Sequence, residues 1–179
     1  MKYVALLRGI NVGGNKMIGM SALKECLEKA GFADVRTYIQ SGNVLFAGPK
    51  RATAALARKM ESAIEKTFRL EVRVAVFTAD EWHEIVRQAP KWWGNDKEWR
   101  HNLLALLPGT TPDEVLEALR RLKPDLERIA AGPGVVYNST SFESYGRTIS
   151  SKLPSLPIYR QITIRNRNTT LKLAELLAD

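Results

Sequence analysis

The residues best suited to chemistry come at the start of the chain. A strand-like run, Tyr3–Leu7, leads into Arg8-Gly9-Ile10-Asn11-Val12-Gly13-Gly14-Asn15-Lys16, and the first acidic residue is Glu25. Three glycines let such a loop turn sharply and present backbone N–H groups beside the cations of Arg8 and Lys16. That combination suits an anion, with Arg8, Asn11, Gly13, Gly14, Asn15 and Lys16 as candidate contacts. The competing reading is that the glycines only serve a tight turn beside a crowded sheet. The spacing argues against two familiar phosphate motifs. A Walker A loop places lysine directly after its second glycine and then Ser or Thr for magnesium; here Asn15 intervenes and Met17 follows the lysine. The dinucleotide fingerprint GxGxxG is absent as well.

Two other polar segments could join such a site. Gln40-Ser41-Gly42-Asn43 lies between two apolar runs. It is either a turn with Gly42 or Asn43 at positive φ, or a source of donors and acceptors from Gln40, Ser41 and Asn43. Nothing in the sequence requires it to meet the first loop. Near the other end, Arg165-Asn166-Arg167-Asn168-Thr169-Thr170 precedes a helical pattern. Asn168 is the expected N-cap. Arginines beside a helix N-terminus would attract phosphate, which makes Arg165, Asn166, Asn168 and Thr169 candidates too. Lys152, after Ser150 and Ser151, adds a cation and could form a serine–lysine pair.

Other catalytic patterns are poor. His83 falls in a helix, His101 opens a strand, and the single cysteine leaves no metal-ligand cluster of recognisable spacing. No Gly-x-Ser-x-Gly elbow is present, so neither a metal, a cofactor nor a covalent nucleophile is expected. Cys26 shares a helical stripe with Leu23, Leu27 and Ala30, which makes it a buried thiol. Trp82, Trp92, Trp93 and Trp99 are interleaved with Lys91, Lys97 and Arg100. They could stack on bases, fold over the core, or form a self-association surface.

The chain carries a formal net charge of +8, unevenly spread. Residues 1–24 hold Lys2, Arg8, Lys16 and Lys24 with no acid; residues 144–179 hold six cations against Glu175 and Asp179. The 17 basic and 17 acidic residues between them cancel. If the two ends meet, they make one basic surface; otherwise these are scattered solvated cations. Hydrophobic content of 45% with 26% charged residues suits a globular protein. Apolar runs such as Leu103–Leu107 fall far short of the roughly 18–20 residues of a membrane span. Tyr3–Leu7 is too short for a secretory signal. A cytoplasmic location is the expectation, with no membrane partner.

Positioning these residues requires elements, and the pattern supplies them. Tyr3–Leu7, Val35–Ile39, Val44–Phe46 and Val72–Phe77 read as strands; Met20–Ala30, with Gly31 as its terminator, and Ala52–Phe68 read as helices. The order βαββαβ is the ferredoxin-like unit. Beyond it come a helix at Ala79–Gln88, a strand at His101–Leu107 and a helix at Val115–Leu122 opened by Pro112 and stopped by Pro124. A hairpin follows at Leu126–Ala130 and Val135–Tyr137, then helices at Thr148–Leu153 and Thr169–Leu177. The expected fold is therefore α+β with mostly antiparallel sheets: a ferredoxin-like unit over 1–78 and a related second unit over 79–179.

LRGINVGGNK, the MSALKECLEKAGF helix and TYIQSGNVLF together resemble the bacterial family catalogued as domain of unknown function 1697. GRTISSKL and TIRNRNTTLKL resemble that family's C-terminal motifs, with Arg167 standing where the family usually has tryptophan. The resemblance implies a two-part α+β protein of ferredoxin-like units and carries no established activity. The residues themselves leave three functions open: an anion-binding module for nucleic acid or a phosphorylated ligand; a small enzyme acting on a phosphorylated or carboxylated metabolite without metal or covalent nucleophile; and a protein-interaction adaptor using the tryptophan loop. Against an RNA-binding version, the first and third strands offer one aromatic residue each.

Overall fold

The computed structural model describes every residue except Asn15 and Asn95. The chain divides into two compact units, Met1–His83 with Lys172–Asp179, and Glu84–Leu171.

The first unit runs β1 (Lys2–Leu7), α1 (Met20–Lys29), β2 (Ala33–Tyr38), β3 (Asn43–Ala47), α2 (Thr53–Phe68) and β4 (Val74–Thr78). The strands form one sheet in the order β2-β3-β1-β4, with antiparallel pairing throughout. This is the ferredoxin-like arrangement that the order of elements predicts. Leu23, Cys26 and Leu27 of α1 and Leu56, Ala57, Met60 and Ile64 of α2 recur at helical spacing and are buried. All but Cys26 belong to one core with Tyr3, Ala5, Leu7, Val44 and Phe46. Gly31 ends α1 at φ 83°: its N–H donates to Glu28 O and the N–H of Phe32 to Leu27 O, a Schellman motif. The Cys26 thiol is buried and lies 3.2 Å from Thr67 Oγ1.

Helices α3 (Ala79–Arg87) and α5 (Arg167–Ala178) each carry the chain across the division between the units. Thr78 and Glu81 cap α3 reciprocally, each backbone N–H bonded to the other's side chain. Between these helices lie β5 (Trp99–Leu106), α4 (Pro112–Ala118), β6 (Glu127–Gly132), β7 (Val135–Ser141) and β8 (Ile162–Asn166). The sheet order β6-β7-β5-β8 repeats that of the first unit position for position. The second crossover differs. Where the first unit has α2, this one has three short 3₁₀ segments, Tyr145–Arg147, Ser150–Ser155 and Pro157–Gln161. They occupy the region where the sequence predicts an α-helix over Thr148–Leu153. Pro154 and Pro157 lack the N–H donors that a continuing α-helix needs. Strand β8, which the sequence pattern does not predict, completes the repeat.

Trp82 and Trp93 are buried, while Trp92 and Trp99 remain partly exposed. Among the described residues, no helix is long and apolar enough to cross a membrane.

Candidate functional site

The antiparallel pairing of β1 with β3 brings the first loop to the β2–β3 turn, because Leu6 lies opposite Asn43. Leu7 N–H donates to Gly42 O at 2.8 Å. Asn11 then ties the loop down. Its Nδ2 donates to Ile18 O and to Gln40 O, its Oδ1 accepts from Ile18 N–H, and its own N–H donates to Lys16 O. Gly9, Asn11, Gly13, Gly14 and Lys16 all have positive φ, a conformation open to glycine and tolerated by asparagine. Gly13 and Gly14 are exposed, with open space where a Cβ would stand, so conformation alone accounts for them. Lys16 is partly buried and its ammonium donates to Glu71 O. Arg8 is partly buried, and its N–H donates to Arg73 O. Asn15 lies outside the described residues.

At the turn, Asn43 is fully buried; its Nδ2 donates to Tyr38 O and Ser41 Oγ. Asn43 thus braces the hairpin from within, and Ser41 takes part in the same brace. Gln40 is exposed and contributes its backbone carbonyl to Asn11. Eight of the sequence candidates, from Arg8 to Asn43, are therefore one braced structure of the first unit. Asn11 and Asn43 supply its side-chain braces.

The C-terminal motif belongs to the second unit and is divided by its own geometry. Helix α5 begins at Arg167, directly after β8, so Asn166 occupies the cap position expected of Asn168: its Oδ1 accepts from Thr169 N–H at 2.8 Å. Arg165 pairs with Leu103 of β5 and shares its face of the sheet. It is 7% exposed, donating to Thr163 Oγ1 and Ile164 O. Burial pulls its guanidinium down to about 10. Arg165 and Thr169 are thus interior residues. Asn166, Arg167 and Asn168 instead line a cleft of about 420 Å³, which Asp96, Trp99, Arg100, His101, Asn102 and Phe142 complete.

The sheet register assembles this cleft. Central strand β5 runs antiparallel to both neighbours, so its first residues lie beside the last residues of β7 and β8: Trp99 faces Ser141, His101 faces Ser139, and Asn102 faces Asn166. Trp99, Phe142, Arg100 and Arg167 of its lining each take part in a cation–π contact. Arg100 stacks on Phe142 and Tyr145, Arg128 on Trp99, and Arg167 on Trp93, with guanidinium-to-centroid distances of 5.3, 4.8, 4.7 and 5.8 Å. Arg167 also donates through Nε to Trp93 O. His101 is 9% exposed, and its Nδ1 lies 2.7 Å from Ser139 Oγ. Its Nε2 is buried and has no hydrogen-bond partner among the described residues. Desolvation by burial lowers the imidazole below its ordinary value, opposed by the Asp96 backbone and reinforced by Arg167.

The serine–lysine idea does not survive the placement of Ser150. That residue is buried; its Oγ donates to Glu127 Oε1 at 2.7 Å and accepts from Asn138. Ser151 Oγ donates to Thr148 O, and Lys152 is exposed on the 3₁₀ segment, outside the cleft lining. No cluster of three or more metal-ligating side chains occurs among the described residues.

The sequence reading missed Asp96, Asn102 and Phe142 and gave His101 no role. Trp99 and Arg100 carried a signal, the interleaving of aromatics with cations. Phe142 carried none, since only the cross-strand register places it there.

Two ferredoxin-like units in tandem, the second with a polar, aromatic-walled cleft at the end of its sheet, define a two-part α+β protein. Residues 1–137 match the family described as protein of unknown function (DUF1697), and the chain belongs to that family. It is also similar to the solved structure of the conserved bacterial protein SP0830 from Streptococcus pneumoniae. That likeness has a TM-score of 0.88 and 30% identity, covering 99% of this chain and 98% of that one. No curated protein matches the chain.

Proposed function

We propose that the protein is an anion-binding module whose ligand carries phosphate and occupies the second-unit cleft. The observation that carries this reading is the meeting of Asn166, Arg167 and Asn168, at the first turn of α5, with Arg100 across one cleft. A helix N-terminus offers unpaired N–H groups and the positive end of the macrodipole. Arginine adds a planar set of donors that matches phosphate oxygens. Apart from Asp96, the charged side chains lining the cleft are cationic. The braced N-terminal loop takes a structural role in this reading.

The test is a titration of the whole protein with inorganic phosphate, pyrophosphate and phospho-sugars, followed by calorimetry. Arg100→Glu should weaken binding at least tenfold, because an exposed cation becomes an anion facing the ligand. Lys66→Glu, on the exposed side of α2, should leave it unchanged. Failure of every phosphate compound to bind the wild type would reject the reading.

A further inference from the structure

Resting on that reading, we infer that the ligand is a nucleoside monophosphate unit, its phosphate at Arg100 and the start of α5 and its base stacked at Trp99 and Phe142 with an edge reaching His101. Three features of the cleft go beyond what a bare phosphate needs. The first is apolar and flat. Phe142 is 51% exposed, one of the few large hydrophobic side chains in the described residues left open to water. It lies in the same cleft wall as the partly exposed indole of Trp99. Rings held beside guanidinium groups are the usual platform for a nucleobase, whose π-face gains from both.

The second feature is His101. Nδ1 is engaged with Ser139, which leaves Nε2 as the ring's remaining polar atom. A buried polar atom without a partner costs on the order of a hydrogen bond, and a base edge entering the cleft beside His101 would supply one. The charged groups facing His101 are Asp96 from the preceding loop, Arg128 from β6 and Arg167 from α5. Desolvation by burial, reinforced by the two arginines and opposed by Asp96, favours the uncharged ring, which suits Nε2 to a base edge rather than to phosphate. The third feature is the set of amides, Asn102, Asn166 and Asn168, around the same space. Side-chain amides both donate and accept, as the edges of bases and the hydroxyls of ribose require.

A free mononucleotide and one nucleotide of a single strand share this chemistry. The experiment therefore compares ribose 5-phosphate, adenosine 5′-monophosphate and the RNA hexamer r(A)₆ by calorimetry on the intact protein. The monophosphate should bind about tenfold more tightly than ribose 5-phosphate. Phe142→Ala should erase that difference. In ¹⁵N-detected imidazole spectra, Nε2 of His101 should shift on adding the nucleotide and stay still on adding ribose 5-phosphate. His101→Gln should retain part of the nucleotide preference and His101→Phe none. A hexamer affinity above six times that of the monophosphate identifies a strand as the source; an affinity at or below that ratio identifies the free nucleotide. If ribose 5-phosphate and the nucleotide bind equally, or Nε2 does not respond, the nucleotide assignment falls while the anion reading stands. If none of the three binds, both fall.

Discussion

Asn11 and Gln40 are joined by one hydrogen bond, 2.8 Å from the asparagine side chain to the glutamine carbonyl, across 29 positions of sequence. With the two bonds to Ile18, it makes a single amide the fastener between the loop after β1 and the turn after β2. Asn11 also sits at φ 55°, where asparagine is among the few residues tolerated. Asn11→Ala should therefore destabilise the fold by about 2 kcal/mol, from lost bonds and a left-handed alanine together. Asn11→Gly, which keeps only the conformation, should cost less. Urea unfolding of the three proteins measures the order. Equal stability of wild type and Asn11→Ala would show that the loop is held by something else.

Gly42 and Gly13 separate two reasons for glycine. Both have positive φ, but a Cβ on Gly42 would stand 2.7 Å from Ile10 Cδ1 and 2.8 Å from Leu7 Cβ, whereas one on Gly13 would meet nothing. Gly42→Ala should cost about 3 kcal/mol or more, since buried neighbours and the β1–β3 register must give way. Gly13→Ala should cost about 1 kcal/mol, from conformation alone. Thermal or urea unfolding that ranked the two the other way would contradict the packing argument.

The first unit is readable because most of its elements have a clear period: apolar every third or fourth residue in α1 and α2, continuous apolar runs in β1 and β4. The second unit was harder for specific reasons. In β8 the residues Thr163 and Arg165 are polar yet buried, so the strand reads as surface. That misreading also moved the helix cap: without β8 the helix seems to start after Asn168, and with it Asn166 caps α5. The cleft was half legible. Its basic C-terminal motif and the Trp99–Arg100 pair stood out as residue types, but their meeting depends on the antiparallel register that sets Asn102 opposite Asn166. Sequence spacing does not contain that register.

Glu127 illustrates a buried charge that serves structure. It is 1% exposed, and its two oxygens accept from Lys123 N–H, Ile149 N–H, Ser150 N–H and Ser150 Oγ. One carboxylate so fastens β6 to the turn after α4 and to the 3₁₀ crossover that replaces a helix. Glu127→Ala would strand several donors inside the unit, at a cost of about 3–5 kcal/mol. Glu127→Gln keeps the shape but brings donors where acceptors are required, and should fall between. The check is denaturant unfolding, with amide exchange at Ile149 and Ser150 as the local probe. Unchanged protection of those two amides in Glu127→Ala would remove the carboxylate from its role as fastener.

The buried phenol of Tyr137 links the stability of the second unit to alkaline pH. Its ring is 1% exposed, packs edge-on against Trp93 and donates from its hydroxyl to Ile85 O at 2.6 Å. Desolvation by burial raises the phenol from its ordinary value to about 12. In the unfolded chain the same phenol ionises near 10. Below 10 both states hold the proton and stability is full. Between about 10 and 12 only the folded state still holds it, so the unfolded state gains by releasing the proton and stability falls. The integrated loss is about 2–3 kcal/mol. Tyr137→Phe lacks the Ile85 bond and should be less stable at pH 8 by about 1 kcal/mol. It also lacks this titration, so its stability should fall less steeply from pH 9.5 to 11.5, narrowing the gap to wild type or closing it. Urea midpoints across that range decide the matter. Parallel decline of the two proteins would mean that the buried phenol does not control the alkaline transition.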